Sequence, residues 1–241
     1  MPVSLPRFGA GIMAVFFLAL SAETQRGETL SVKAWAYEPS YAGADQHGWR
    51  EIAVKPSKVQ ADDELTTARS SRAEVRLDAP NWLRVDESST VAFPLLSADR
   101  YEIDIDRGVV YYGRFFGSRA DVRLRTPLAT AIPLKDGRYE VAALDDGQVR
   151  ITVRRGKVRI IADDEARDVG AGRAMLLRNE GDELRYLVMK ASPKDDWYDW
   201  NVDRDRIART LPAYRERRRA VYRSWPTFDS PFYRQAFPGA W

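Results

Sequence analysis

A single histidine, His47, and no cysteine in 241 residues leave little from which to assemble a catalytic or metal centre. A Ser-His-Asp triad would have to recruit His47 from the polar stretch Ala44-Asp45-Gln46-His47-Gly48. No Gly-x-Ser-x-Gly elbow is present to offer the serine. Thiolate zinc sites, Cys nucleophiles and disulfides are excluded by composition. Carboxylates remain. Asp62-Asp63, Asp145-Asp146, Asp163-Asp164 and Asp195-Asp196 are acidic pairs of the kind that ligate calcium or serve as acid and base in glycoside hydrolysis. Adjacent residues on a strand point apart, however, and these pairs stand where Asp is favoured for hydrogen bonding to a turn backbone. We read them as turn residues. No Walker or dinucleotide glycine pattern occurs, since Gly170-x-Gly172 sits between strands and opens no helix. The expectation is a non-enzyme with no cofactor and no metal.

Binding chemistry is concentrated at the C-terminus. From Asn201 to Trp241 there are nine Arg against four acids, Asp203, Asp205, Glu216 and Asp229. Asn201 or Asp203 is expected to cap a short helix with Ile207 and Leu211 on one face, and Pro212 to break or restart it. A second helix would set Tyr214, Val221 and Tyr222 on one side and Arg217, Arg218 and Arg219 in water. Beyond Trp225-Pro226 the chain becomes an aromatic, proline-punctuated tail that includes Tyr233. Arg217, Arg218, Arg219, Trp225 and Tyr233 are the candidate partner-binding residues. Three readings of this tail stay open. Its aromatics clamp the β-domain, or its basic aromatic surface meets an anionic membrane surface, a cell-wall glycan or an envelope protein, or it binds nucleic acid. Export would separate it from nucleic acid, so that partner is not expected.

The elements that would position these residues are strands. From about Leu30 to Met189, apolar and charged residues alternate with period two in short runs bounded by Gly and Asp. Val149, Ile151 and Val153 face one way, and Arg150, Thr152 and Arg154 the other. Val158 and Ile160 alternate with Lys157 and Arg159, Val75 with Glu74 and Arg76, and Ile103 and Ile105 with Glu102, Asp104 and Asp106. Such strands suit sheets packed on one face and wet on the other. Asp136-Gly137, Asp146-Gly147 and Arg155-Gly156 stand where tight hairpins need positive φ. The fold class expected is mainly β: an antiparallel sandwich, roll or short solenoid, with one or two short C-terminal helices and an irregular tail. Arg72-Ala73-Glu74-Val75-Arg76-Leu77 is echoed by Arg119-Ala120-Asp121-Val122-Arg123-Leu124, either a structural repeat or two strands sharing one alphabet.

At the N-terminus Arg7 precedes an apolar run from Gly9 to Ala22, followed by polar Glu23 to Arg26. This is the charged, apolar, small-residue order of a secretory signal, with cleavage after Ser21 or Ala22. The run is short for a membrane span, although an uncleaved anchor is the alternative. The expected organisation is a signal peptide over 1–22, a β-domain over 23–190, and short helices with a basic aromatic tail over 191–241. A hydrophobic fraction of 44% supports a buried core, and 38 basic against 35 acidic side chains is too even to mark a nucleic-acid binder.

Several of these strands resemble the FecR family in order. Ser71 to Leu77, Leu83-Arg84-Val85 and Ser88-Ser89-Thr90-Val91 resemble its opening strands and serine-bearing turn. Val122-Arg123-Leu124-Arg125-Thr126-Pro127 is similar to its Thr-Pro strand, Val149 to Val158 to its glycine hairpin, and Val169-Gly170-Ala171-Gly172-Arg173 to its late turn. Asp196 to Asp205 resembles a segment following FecR-like domains in a group of proteobacterial envelope proteins. The resemblance implies the periplasmic module of the family, without a cytoplasmic anti-sigma segment. It implies a non-catalytic envelope binding or scaffold protein or, as the alternative, a periplasmic signal relay contacting a membrane regulator. A carbohydrate-active enzyme using turn aspartates ranks third.

Overall fold

The computed structural model describes residues 16–19, 32–39, 49–51, 57–212 and 215–216. Period-two alternation produces seventeen strands there. The first five are β1 (Phe16–Ala19), β2 (Val32–Pro39), β3 (Trp49–Glu51), β4 (Ser57–Val59) and β5 (Asp63–Thr66). There follow β6 (Arg72–Arg76), β7 (Asn81–Val85), β8 (Thr90–Leu96), the long β9 (Arg100–Arg114), β10 (Asp121–Arg125) and β11 (Thr130–Pro133). The last six are β12 (Gly137–Ala143), β13 (Val149–Arg155), β14 (Lys157–Ala162), β15 (Glu165–Gly170), β16 (Arg173–Glu180) and β17 (Glu183–Lys190). One helix, α1 (Asp196–Ala208), comes after them.

Pairing divides the strands into two sheets. The first runs β1-β5-β8-β9-β10-β11-β14-β15. The second runs β2-β6-β7-β9-β12-β13-β16-β17, with β3 and β4 on the free side of β2. Inward residues of both meet in one apolar core, where Ile103, Ile105, Val122 and Ile160 of the first sheet join Val75, Leu83, Val141 and Ile151 of the second. The fold is therefore a mainly antiparallel sandwich; only the β9–β10 pairing among those described is parallel. Arg72–Leu77 and its echo Arg119–Leu124 supply β6 and β10, which lie in opposite sheets.

Strand β9 belongs to both layers and changes sheet at Gly108, whose φ is +92°. An added Cβ there would lie 2.0 Å from Ser89 Oγ and 2.6 Å from Ser89 Cα. Ser89 is fully buried and its Oγ accepts from the Val109 amide at 3.1 Å. Gly108→Ala therefore combines a disfavoured backbone with a clash that no rotamer relieves. We expect it to cost about 2–3 kcal/mol, measured as a lowered denaturant midpoint; an unchanged midpoint would show that the bend can relax.

The turns depart from expectation in two places. Gly147, at φ +79°, sits in the turn between β12 and β13 as anticipated. Gly156, at φ +95°, joins no hairpin: β13 pairs with β12 and β16, β14 with β11 and β15, so the chain crosses between sheets there. Gly137 has no positive φ; it is required because a Cβ would fall 2.1 Å from the Arg155 carbonyl oxygen. The acidic pairs act locally. Asp163 and Asp164, at φ +45° and +61°, form the two-residue turn from β14 to β15. Asp146 accepts from the Gln148 amide, and Asp62, at φ +67°, turns the chain into β5.

The helix starts earlier than its composition indicated. Asp195 caps it, accepting from the Tyr198 amide at 2.8 Å, so the pair Asp195-Asp196 is a helix start rather than a strand turn. Neither Asn201 nor Asp203 is the cap. The buried face carries Trp197, Trp200, Asn201, Asp205 and Ala208, whereas Ile207 is 46% exposed. Leu211 is partly buried against Trp82, Phe115 and Ala208. The expected second helix falls largely outside the described residues.

Candidate interaction surfaces

Beneath α1 the second sheet is not wet on its outer face. Register places Trp35, Glu74, Arg84, Tyr111, Glu140 and Thr152 on one line across β2, β6, β7, β9, β12 and β13. Glu74, Arg84, Tyr111, Glu140 and Thr152 are buried, because α1 and its approach lie over this row. Burying such groups is costly unless each finds a partner. Arg84 provides the hub. Its Nε donates to Glu74 at 2.6 Å and one terminal nitrogen donates to Asp205 of α1 at 2.6 Å. Asp205 also accepts from the Tyr111 hydroxyl at 2.7 Å and from Arg138 Nε at 2.8 Å. Arg204 returns from the helix to Glu74 at 2.8 Å and bonds the Tyr37 hydroxyl.

Electrostatics follows this geometry. Burial disfavours the Glu74 carboxylate, but the Arg84 and Arg204 guanidiniums outweigh it and hold that carboxyl below its ordinary value. Burial and the neighbouring Asp205 charge push the Tyr111 phenol well up. Glu140 differs: burial dominates its more distant partners Arg154, at 3.4 Å, and Arg150, at 3.9 Å, so its carboxyl is raised. The helix also seats aromatics. Trp200 meets Tyr37 edge-on at 5.5 Å and stacks on Trp197 at 5.4 Å, with Arg72 lying 5.0 Å from the Trp197 centroid. These contacts fasten α1 to the sandwich and bury the centre of the network, Arg84, Glu74 and Asp205.

The free edge of the same sheet has the opposite character. β17 pairs with β16 alone among the described residues. Tyr186 (44%), Leu187 (57%), Val188 (39%) and Met189 (37%) are exposed on its two faces. Arg167 from β15 covers part of the Tyr186 ring, 4.2 Å from its centroid. Between β15 and β17 the core opens into a cleft of about 260 Å³ lined by Ile160, Met175, Leu177 and Leu184. An edge strand rich in exposed apolar side chains offers backbone hydrogen bonds and side-chain contacts to an added strand.

Sequence reasoning missed Glu74, Arg84 and Arg138 because charged residues on alternate strand positions look solvated, and Asp205 because it stands among the other Asp and Arg side chains of α1. The spacing of Trp197, Trp200, Asn201, Asp205 and Ala208 was the available signal. His47 and the predicted binding residues Arg217, Arg218, Arg219, Trp225 and Tyr233 lie outside the described residues. Among the described residues, no group of three or more His, Cys, Asp or Glu side chains is placed to hold a metal. No helix there is long and apolar enough to cross a membrane.

The fold is thus a two-sheet β-sandwich with a helix docked on one face and a free edge strand beside it. Residues 63–159 match the model of the FecR protein family, and the chain carries a FecR domain over that span. The match opens at the first residue of β5 and closes inside β14, so β15 to β17 and α1 lie beyond it. Two solved structures of a candidate anti-sigma factor from Parabacteroides distasonis align at 15% identity and a TM-score of 0.46. Each alignment covers 53% of this chain and 60% of the other, so the chain spans under two thirds of those proteins. No curated protein matches it.

Proposed function

We propose that this protein is a non-catalytic signal-relay module of the bacterial envelope, contacting a membrane regulator through the free edge of its sandwich. The FecR domain over residues 63–159 supports this reading over a passive envelope scaffold. The observation that carries the contact surface is β17, a strand paired on one side only among the described residues, with four consecutive exposed apolar side chains. A partner segment adding to that edge would bury them while completing the backbone ladder. The N-terminal charged, apolar, small-residue order supports export of the module from the cytoplasm in this reading.

Transcript profiling of a deletion strain tests it. A defined gene set is expected to change on deletion and to return with the wild-type chain but not with Leu187→Asp. Leu187 is solvent-exposed, so the purified variant should keep the wild-type melting temperature. A flat profile on deletion would sink the relay and leave the scaffold reading, for which crosslinking in the intact envelope is the direct assay.

A further inference from the structure

Four guanidiniums converge where the C-terminal end of α1 reaches the sandwich. Arg114 ends β9, Arg138 lies at the start of β12, Arg155 ends β13, and Arg209 follows α1; together they line a cavity of about 170 Å³. Two of them are engaged. Arg114 donates to the carbonyls of Pro133 and Ser118 at 2.7 and 2.6 Å, and Arg138 is held by Asp205. Arg155 and Arg209 are exposed and have no carboxylate partner among the described residues. Arg209 lies over the Phe115 ring, 5.5 Å from its centroid. The acids nearby are Asp136 on the wall, 3.7 Å from Arg114, and Asp205 behind Arg138. Asp205 is shared with Arg84 and Asp136 faces Arg114, so Arg155 and Arg209 stand as two positive charges without a carboxylate among the described residues, beside an aromatic ring.

We propose that this cavity is a binding site for a doubly charged phosphate monoester. A dianion matches these two charges, whereas a single carboxylate would leave one cation uncompensated. Guanidinium forks bind tetrahedral phosphate oxygens in pairs. Arg155 belongs to a strand and Arg209 to the helix end, so a bound phosphate would tie α1 to the sandwich a second time. The site is independent of the β17 edge.

The test is titration of the full chain with phenyl phosphate and inorganic phosphate at low ionic strength, alongside flotation with vesicles containing phosphatidic acid. Arg155→Ala and Arg209→Ala should each weaken phenyl phosphate binding about tenfold, the loss of one charge-assisted contact. Arg155→Lys and Arg209→Lys should fall between. Arg107→Ala, an exposed change on β9 far along the strand, should bind as wild type. Binding of soluble phosphate esters points to a free ligand; recruitment to vesicles alone, lost in the same variants, places the phosphate on a lipid headgroup. Absence of both, or equal weakening by Arg107→Ala, would overturn the proposal.

Discussion

Asp205→Ala is expected to lower the free energy of unfolding by about 3–5 kcal/mol, the usual consequence of removing one partner from a buried ion pair. The Asp205 side chain is wholly buried and accepts from Arg84, Arg138 and Tyr111 within 2.8 Å. Without it, Arg84 keeps only Glu74 as a counter-charge, and the Tyr111 hydroxyl loses its acceptor. The helix should suffer first. Nearly all of its polar anchorage runs through Asp205 and Arg204, while the sandwich retains its own apolar core. Denaturant unfolding followed by Trp fluorescence should then show an early transition, since Trp197 and Trp200 sit on the docked face. Circular dichroism of the strands should follow at a higher concentration. Asp205→Asn, which keeps an acceptor but removes the charge, should give a smaller loss. A cost below about 1 kcal/mol for Asp205→Ala would mean that the aromatic contacts alone hold the helix.

The second large effect separates two buried glutamates. Glu74→Gln should cost about 3–5 kcal/mol at pH 7, because Arg84 and Arg204 lose the charge that compensates their burial. Glu140→Gln should be neutral or stabilising there. The signs come from opposite shifts. Glu74 is depressed in the folded protein, so its contribution is fully present above the ordinary value of about 4.5 and is lost as pH falls through the folded value. Glu140 is raised, because burial outweighs Arg154 and Arg150. Its contribution is present below the ordinary value and is lost as pH rises through the folded one. Denaturant midpoints between pH 3 and pH 8 should show a shallower acid limb for Glu74→Gln, and a gain confined to the neutral range for Glu140→Gln. Losses of equal size from both changes would show that the arginines compensate Glu140 as fully as Glu74.

Some of this architecture was legible residue by residue. Val149, Ile151 and Val153 point into the core and Lys157 and Arg159 away from it, as their alternation required. The Asp163-Asp164 turn was readable because Asp tolerates positive φ and bonds its own backbone. The start of α1 was not. Its buried face mixes Trp197 and Trp200 with Asn201 and Asp205, so the apolar pair Ile207 and Leu211 gave a misleading stripe. The Arg155-Gly156 turn looked like a hairpin because local chemistry cannot say whether two strands share a sheet. β17 reads Glu-Leu-Arg-Tyr-Leu-Val-Met-Lys, apolar enough for a covered strand, yet it stands at an edge.

Strand period and most tight turns were determined by sequence alone, since both depend on neighbours one to four residues away. Which charged face stays wet was decided only in three dimensions. Arg84 and Asp205 are separated by 121 residues, and each taken alone resembles a surface charge. Only the folded chain, by laying α1 across the second sheet, removes water from them and turns ordinary solvated side chains into a buried, mutually dependent set.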